Sequence, residues 1–142
     1  MIMPDVNVLL PALHEGHPRH GQAAQWLERE MAGGAELGLS VLVLGGVMRI
    51  GTDKRVFSRP LSAQAAVELL ARLLAAERVK LVSPGPRHWQ ILSQLIIQTG
   101  AVGAGLADAQ HAAVAIEAGA TWVTFDSDFG VFPGLDCVIP EL

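Results

Sequence analysis

Residues 106–128 read LADAQHAAVAIEAGATWVTFDSD, and the order of chemistry within them is what selects a fold. Ala112, Ala115 and Ile116 recur at helical spacing from a start near Leu106, and Gly119 is placed to end that helix. Thr121-Trp122-Val123-Thr124-Phe125 then forms a short run rich in β-branched and aromatic side chains, the pattern of a buried parallel strand. Acids mark both ends of this helix-to-strand unit: Asp108 at the helix start, Asp126 and Asp128 just after the strand. In an open α/β sheet the helix N-termini and the carboxyl ends of the strands share one edge, so these acids are expected to meet there.

Working outward, the same alternation repeats. Ser62 caps a helix carrying Ala66, Leu69, Leu70, Leu73 and Leu74 on one face, and Arg87–Gln98 forms another, with Trp89, Leu92, Leu95 and Ile96 inward and Gly100 at its end. Residues 21–31 and 40–50 supply two more helices, the second weakened by Gly45-Gly46 at roughly 1 kcal/mol each against alanine. Strands are expected at Val79–Val82 and Asp136–Ile139, with weaker candidates at Ile2-Met3 and Leu37–Leu39. The fold class is therefore α/β: a parallel sheet of about five short strands flanked by helices, in a single domain over residues 1–142.

Composition narrows the function. A chain of 142 residues that is 51% hydrophobic buries one core, and its single cysteine, Cys137, excludes an internal disulfide and a multi-cysteine zinc site. The opening Met1-Ile2-Met3-Pro4-Asp5 has no basic lead into an apolar run, and no apolar stretch nears the roughly 20 residues that span a bilayer, so a soluble cytoplasmic protein is expected. With a net charge of −4, bulk attraction to nucleic acid is absent. Any such binding needs a local strip, for which Arg49, Lys54, Arg55 and Arg59 are candidates.

Asp5 leaves the first strand at the same edge as Asp126, and Asn7 follows one residue on. Each acid has an ordinary explanation: Asp108 as a helix N-terminal acid worth under about 1 kcal/mol, Asp126 and Asp128 as turn formers, Asn7 as a turn residue. Three acids from three segments at one sheet edge are harder to explain that way. Gathered carboxylates repel one another and call for a cation with a taste for oxygen, Mg²⁺ or Mn²⁺, whose characteristic chemistry is phosphodiester hydrolysis. An aspartyl-phosphate mechanism at Asp5 is disfavoured, since no second aspartate follows two residues on.

These motifs together resemble a known family. DVNVLL at 5–10, HPRH at 17–20, Arg49-Ile50-Gly51-Thr52 through Phe57, Pro84 to Trp89, Leu106-Ala107-Asp108-Ala109, Ala115 to Thr121, and Thr124 to Asp128 followed by Phe132-Pro133-Gly134-Leu135 are similar, in order and spacing, to the PIN-domain toxins of VapBC toxin–antitoxin systems. The resemblance covers essentially the whole chain. It implies a PIN-like domain and a Mg²⁺-dependent endoribonuclease (Mn²⁺ able to substitute) acting as the toxin of a type II pair. It further implies a homodimer, held in check by a VapB-like antitoxin. Carried over residue by residue, it implies Asp5, Asp108 and Asp126 as metal ligands and Asp128 as an additional catalytic acid. Beside it, Asn7 is read as orienting Asp5 or an attacking water or meeting the RNA, and Arg49 as contacting the RNA backbone or steadying an acidic neighbour. One position departs from the pattern: the family's usual glutamate, three residues before Arg49, is Gly46 here. The alternative it raises is a catalytically weakened PIN-fold module that binds RNA or an antitoxin-like partner.

Other constellations yield less. His14, His17 and His20 are spaced by three, but Gly16, Pro18 and Gly21 break a regular helix through them, which points to surface or helix-entry histidines and not to zinc. Gly100, Gly103 and Gly105 follow a helix and lack the lysine of a phosphate loop, so a flexible connection is expected. Phe129 and Phe132 are expected in the core, with base stacking as the rival role.

Overall fold

The computed structural model describes residues 1–142. In chain order it contains β1 (Ile2–Pro4), α1 (Val6–Leu13), α2 (His20–Ala32), β2 (Leu37–Ser40), α3 (Val41–Gly51) and α4 (Ala63–Leu74). These are followed by β3 (Val79–Val82), α5 (His88–Thr99), α6 (Ala104–Ala118), β4 (Thr121–Val123), a 3₁₀ turn (Ser127–Val131) and β5 (Asp136–Val138). The five strands are all parallel, in the order β3-β2-β1-β4-β5. The chain builds outward from β1 to β3 on one side and then crosses back to lay β4 and β5 on the other. That reversal makes the carboxyl ends of β1 and β4 a topological switch point, where ligands of open α/β sheets collect.

The core sits on both faces of the central strands. Met3 and Trp122 are fully buried and adjacent in register across β1 and β4, with Phe129 and Phe132 closing over them, as expected for core aromatics. Burying a side chain of this size stabilises by roughly 1.5–3 kcal/mol each. The edge strands differ from the buried strands expected. Lys80 and Leu81 of β3 and Asp136 and Val138 of β5 are exposed, because each edge strand has a neighbour on one side only.

Helix caps follow the local chemistry. Ser62 accepts a hydrogen bond from the Ala65 N–H to start α4, Ser40 does the same for α3 from Leu42, and Gly100 and Gly119 end α5 and α6 in the left-handed conformation. Gly100 and Gly103 are thus defined turns, and Gly105 lies inside α6. Trp89 does not face inward. The buried stripe of α5 is Ile91, Leu92 and Leu95, which leaves Trp89 74% exposed.

Two differences bear on the site. The stretch after Asp5, read only as an apolar run, is the helix α1 with Asp5 as its N-cap. Helix α6 begins at Ala104, two residues before Leu106, which moves Asp108 out of the first turn and into the second. The dipole account of Asp108 therefore fails, since that effect fades beyond the first turn.

Candidate active site

Register brings the site together. Ile2, Met3 and Pro4 pair with Thr121, Trp122 and Val123, and the Asp5 N–H donates to the Val123 carbonyl at 2.8 Å, so Asp5 and Thr124 emerge side by side. Thr124 is completely buried, and its hydroxyl donates to Asp5 Oδ2 at 2.6 Å. The same oxygen accepts from Asn7 Nδ2 and from the Asp126 backbone N–H, each at 3.1 Å. One hydroxyl thus ties together an acid after β1, an amide in α1 and the chain leaving β4. Asn7 closes the loop by accepting from the Phe125 N–H at 3.2 Å.

Asp5 is only 7% exposed, and its second oxygen, Oδ1, accepts from the Val6 N–H at 2.6 Å. Asp126 caps the 3₁₀ turn through Oδ1, which accepts from the Asp128 N–H at 2.9 Å. Asp108 has no such support. Burial first, then the negative charges of Asp126, Asp5 and Asp128, push its carboxyl above the ordinary range, with His111 acting in the opposite direction. The acids are therefore electrically one cluster, and Asp108 carries the strain of it.

They surround a pocket of about 620 Å³ whose walls include Asp5, Asn7, Asp108 and Asp126, together with His17 and Arg19 from the α1–α2 loop. Of the residues expected from sequence, Arg49 and Asp128 are not on this wall. Asp128 is exposed on the 3₁₀ turn and reaches the cluster by its charge alone, while Arg49 is exposed in the last turn of α3 and acts on Asp53. No group of three or more His, Cys, Asp or Glu side chains is already drawn into a set able to hold an ion.

Gly46 explains the departure noted in the sequence. A Cβ at that position would lie 2.7 Å from Val6 Cγ2, so α3 and α1 touch where the side chain would begin. A side chain at position 46 would have to displace Val6.

A PIN domain profile matches residues 2–135 of the chain. The chain belongs to the PIN domain family. Within it, the chain is 39% identical to ribonuclease VapC43 of Mycobacterium tuberculosis over 132 residues, which is 93% of this chain and 90% of the relative. Two solved PIN structures share the fold. VapBC2 of Rickettsia felis bound to a promoter DNA fragment has a TM-score of 0.71 at 22% identity, over 99% of this chain and 100% of that one. VapC20 of M. tuberculosis, described as a toxin cleaving the sarcin–ricin loop, has a TM-score of 0.65 at 21% identity, over 96% and 99%.

For a PIN domain of the VapC kind, three features here were not anticipated from sequence. Thr124 gives one visible signal, a polar residue inside an apolar strand next to two acids. His17 and Arg19 show in the sequence only as part of the HPRH motif, with no sign of a pocket role, because only the fold of the α1–α2 loop carries them there, with Arg19 lying 5.4 Å over the Phe125 ring. His14 is buried and not on the surface: its ring stacks on Phe57 at 3.7 Å, Nδ1 accepts from the Gly16 N–H, and Nε2 faces the Gly51 carbonyl. His20 does enter a helix as expected, opening α2 with Nδ1 against the Pro11 carbonyl.

Proposed function

We propose that this PIN domain is a cytoplasmic, Mg²⁺-dependent endoribonuclease and the toxin of a toxin–antitoxin pair. The observation that carries the reading is the convergence of Asp5, Asp108 and Asp126 on one pocket at the sheet switch point, where burial first and then the neighbouring negative charges raise the Asp108 pKa. Such an arrangement costs stability unless a cation offsets it. The donors suit a hard divalent ion, being all carboxylate oxygen. Asp108 has both oxygens free of protein hydrogen bonds, Asp126 has one, and Asp5 keeps a lone pair on each of its bonded oxygens.

In this reading Asp5, Asp108 and Asp126 hold Mg²⁺, with Mn²⁺ able to replace it, and Asp128 adds negative charge from outside the pocket. Once bound, the ion supplies polarisation of the scissile phosphate and acidification of a water. The protein's own part is positioning. Thr124 fixes Asp5 and the Asp126 backbone from one buried oxygen, and Asn7 presents an amide at the rim where it can meet the RNA. Arg49, exposed beside α3, is a contact for the more distant RNA backbone.

The relatives' names supply the partner class. VapC43 is named a ribonuclease, and the Rickettsia structure is of a VapBC pair, so an antitoxin of the VapB kind is the proposed inhibitor. A homodimer would cover the exposed Trp89 and Ile97 of α5. No helix is long and apolar enough to cross a membrane.

The test is cleavage of RNA in Mg²⁺ against EDTA, for the wild type and for Asp5→Asn and Asp108→Asn. Cleavage that needs the metal and is lost in both variants supports the reading; equal activity in all samples overturns it. Gly46 and the absence of a ready-made ligand set favour one rival, a module that binds RNA or an antitoxin-like protein without cutting. RNA retained but never cleaved at saturating Mg²⁺ or Mn²⁺ would select that rival.

A further inference from the structure

The pocket that holds the acids is the first of three neighbouring cavities. It shares His17, Val56 and Phe57 with a second cavity of about 520 Å³, and that cavity shares Gly16 and Arg59 with a third of about 540 Å³ between the end of α1 and α4. Charge reverses along this path. Asp5, Asp108 and Asp126 line the first cavity, whereas the other two carry Arg59 and Arg72 against a single acid, Glu15.

Both arginines are free. The chain's two ion pairs are Arg55–Asp53 and Lys80–Glu36, each at 3.0 Å, and neither involves Arg59 or Arg72. The basic strip visible in the sequence does not survive as a unit: Arg55 is tied to Asp53, and Arg49 stands in the last turn of α3, off the walls of these cavities. What replaces it is Arg59 from a loop and Arg72 from the last turn of α4, set around a groove with an apolar floor that includes Leu61 and Leu69.

On the ribonuclease reading, a strand cut at the carboxylates has to carry its neighbouring phosphates away from those negative charges. The row of neighbouring cavities leads from the acids to guanidinium groups, whose planar fork suits phosphate oxygens. Each cavity is of the size that takes a small-molecule unit, room for single nucleotides and not for a duplex. With an overall charge of −4, the molecule has to draw its affinity for RNA from local cations of this kind.

We infer that the groove is a track for the unpaired RNA on one side of the cleavage point, with Arg59 and Arg72 each gripping a backbone phosphate. The substrate is then a single-stranded segment of several nucleotides.

The experiment measures binding in EDTA, where cutting does not interfere, for the wild type, Arg59→Gln, Arg72→Gln, the double variant and the matching lysine variants. Probes are an unpaired oligonucleotide of about 12 nucleotides and one of about 3, bracketing the reach of a single groove. Each phosphate contact to a single strand contributes roughly 0.7 to the slope of log K against log salt, so the double variant should lower that slope by about 1.4. Its affinity for the long strand should fall more than tenfold, with a smaller loss for the short one, and lysine should restore the slope. An unchanged slope in the double variant overturns the track, as does an equal loss for both lengths. A loss of binding to a polyglutamate peptide with RNA binding intact would also overturn it, assigning the groove to an acidic protein segment. A wild type that binds the long strand but never cuts it in Mg²⁺ counts against the nuclease reading alone, because the salt slope still reports on the groove.

Discussion

Asp5 and Asp108 face the same pocket and are held there by opposite means. At the β1–α1 junction, both oxygens of Asp5 accept short hydrogen bonds, one from the Val6 N–H that starts a helix and one from the buried Thr124 hydroxyl. In the second turn of α6, Asp108 has no bonded partner, and burial first, then the like charges around it, raise its pKa. The first acid is built into the fold. The second is held only by its place on the helix. A site made of one locked and one strained carboxylate is primed for a cation, since the ion gains a fixed ligand and relieves a repulsion in a single event.

Substitution should separate the two roles. For catalysis both acids are expected to matter alike: Asp5→Ala and Asp108→Asn should each reduce RNA cleavage by more than about 100-fold, beyond the 10–100-fold typical of residues one shell out from a metal. For stability without metal they should part in sign. Asp5→Ala loses an N-cap and orphans the Thr124 hydroxyl, lowering the unfolding free energy in urea by about 2 kcal/mol. Two stability changes of the same sign and size would break the comparison.

Thr124→Val tests the locked side without touching an acid. It removes the oxygen shared by Asp5, Asn7 and Asp126, and should cost about 2 kcal/mol and 10–100-fold in cleavage. Gly46→Ala presses on the same junction from α3. Overpacking against Val6 costs about 1–3 kcal/mol while alanine recovers about 1 in helix propensity, so a net loss near 1 kcal/mol is expected. Adding Val6→Ala should return it, and a destabilisation unaffected by Val6→Ala would place the strain elsewhere.

The smallest effect belongs to the strained side. Removing the charge by Asp108→Asn should raise metal-free stability by under about 1 kcal/mol, because the group is partly solvated and screened. The pH dependence has a definite sign. Between the ordinary value of 3.8 and its raised value, Asp108 binds its proton more readily in the folded chain than in the unfolded one. Its contribution therefore favours folding below that window and is lost as pH rises through it. Urea midpoints measured across this range in EDTA should fall less steeply for Asp108→Asn than for the wild type. Parallel curves would show that the strain is not at Asp108.

Much of the fold was legible because its signals are local. The apolar runs at 79–82 and 121–123, the cap Ser62, and the left-handed glycines 100 and 119 act within a few residues of where they stand. Trp89 was misplaced because helical spacing gives a stripe but not the rotation of that stripe against its neighbour. His14 was misplaced because Phe57, the ring it stacks on, lies 43 positions away in the chain. The acids were found as a group because strand ends and helix starts share an edge in this class of sheet. Asp128 was included for its place after the strand and Arg49 for its place in a basic strip, yet both stand off the pocket wall.

By itself, the sequence determined an α/β chain with parallel strands, one domain, and a set of carboxylates bound for a single edge. These follow from period, propensity and chain order, which are properties of neighbouring residues. Only the tertiary structure decided that Thr124 would be the shared hydrogen-bond centre, that Val6 would occupy the space beside Gly46, and that Arg59 and Arg72 would line a cavity near that of the acids. Those outcomes depend on distances between segments far apart in the chain, set by how helices pack on the sheet, and no local pattern of residues encodes them.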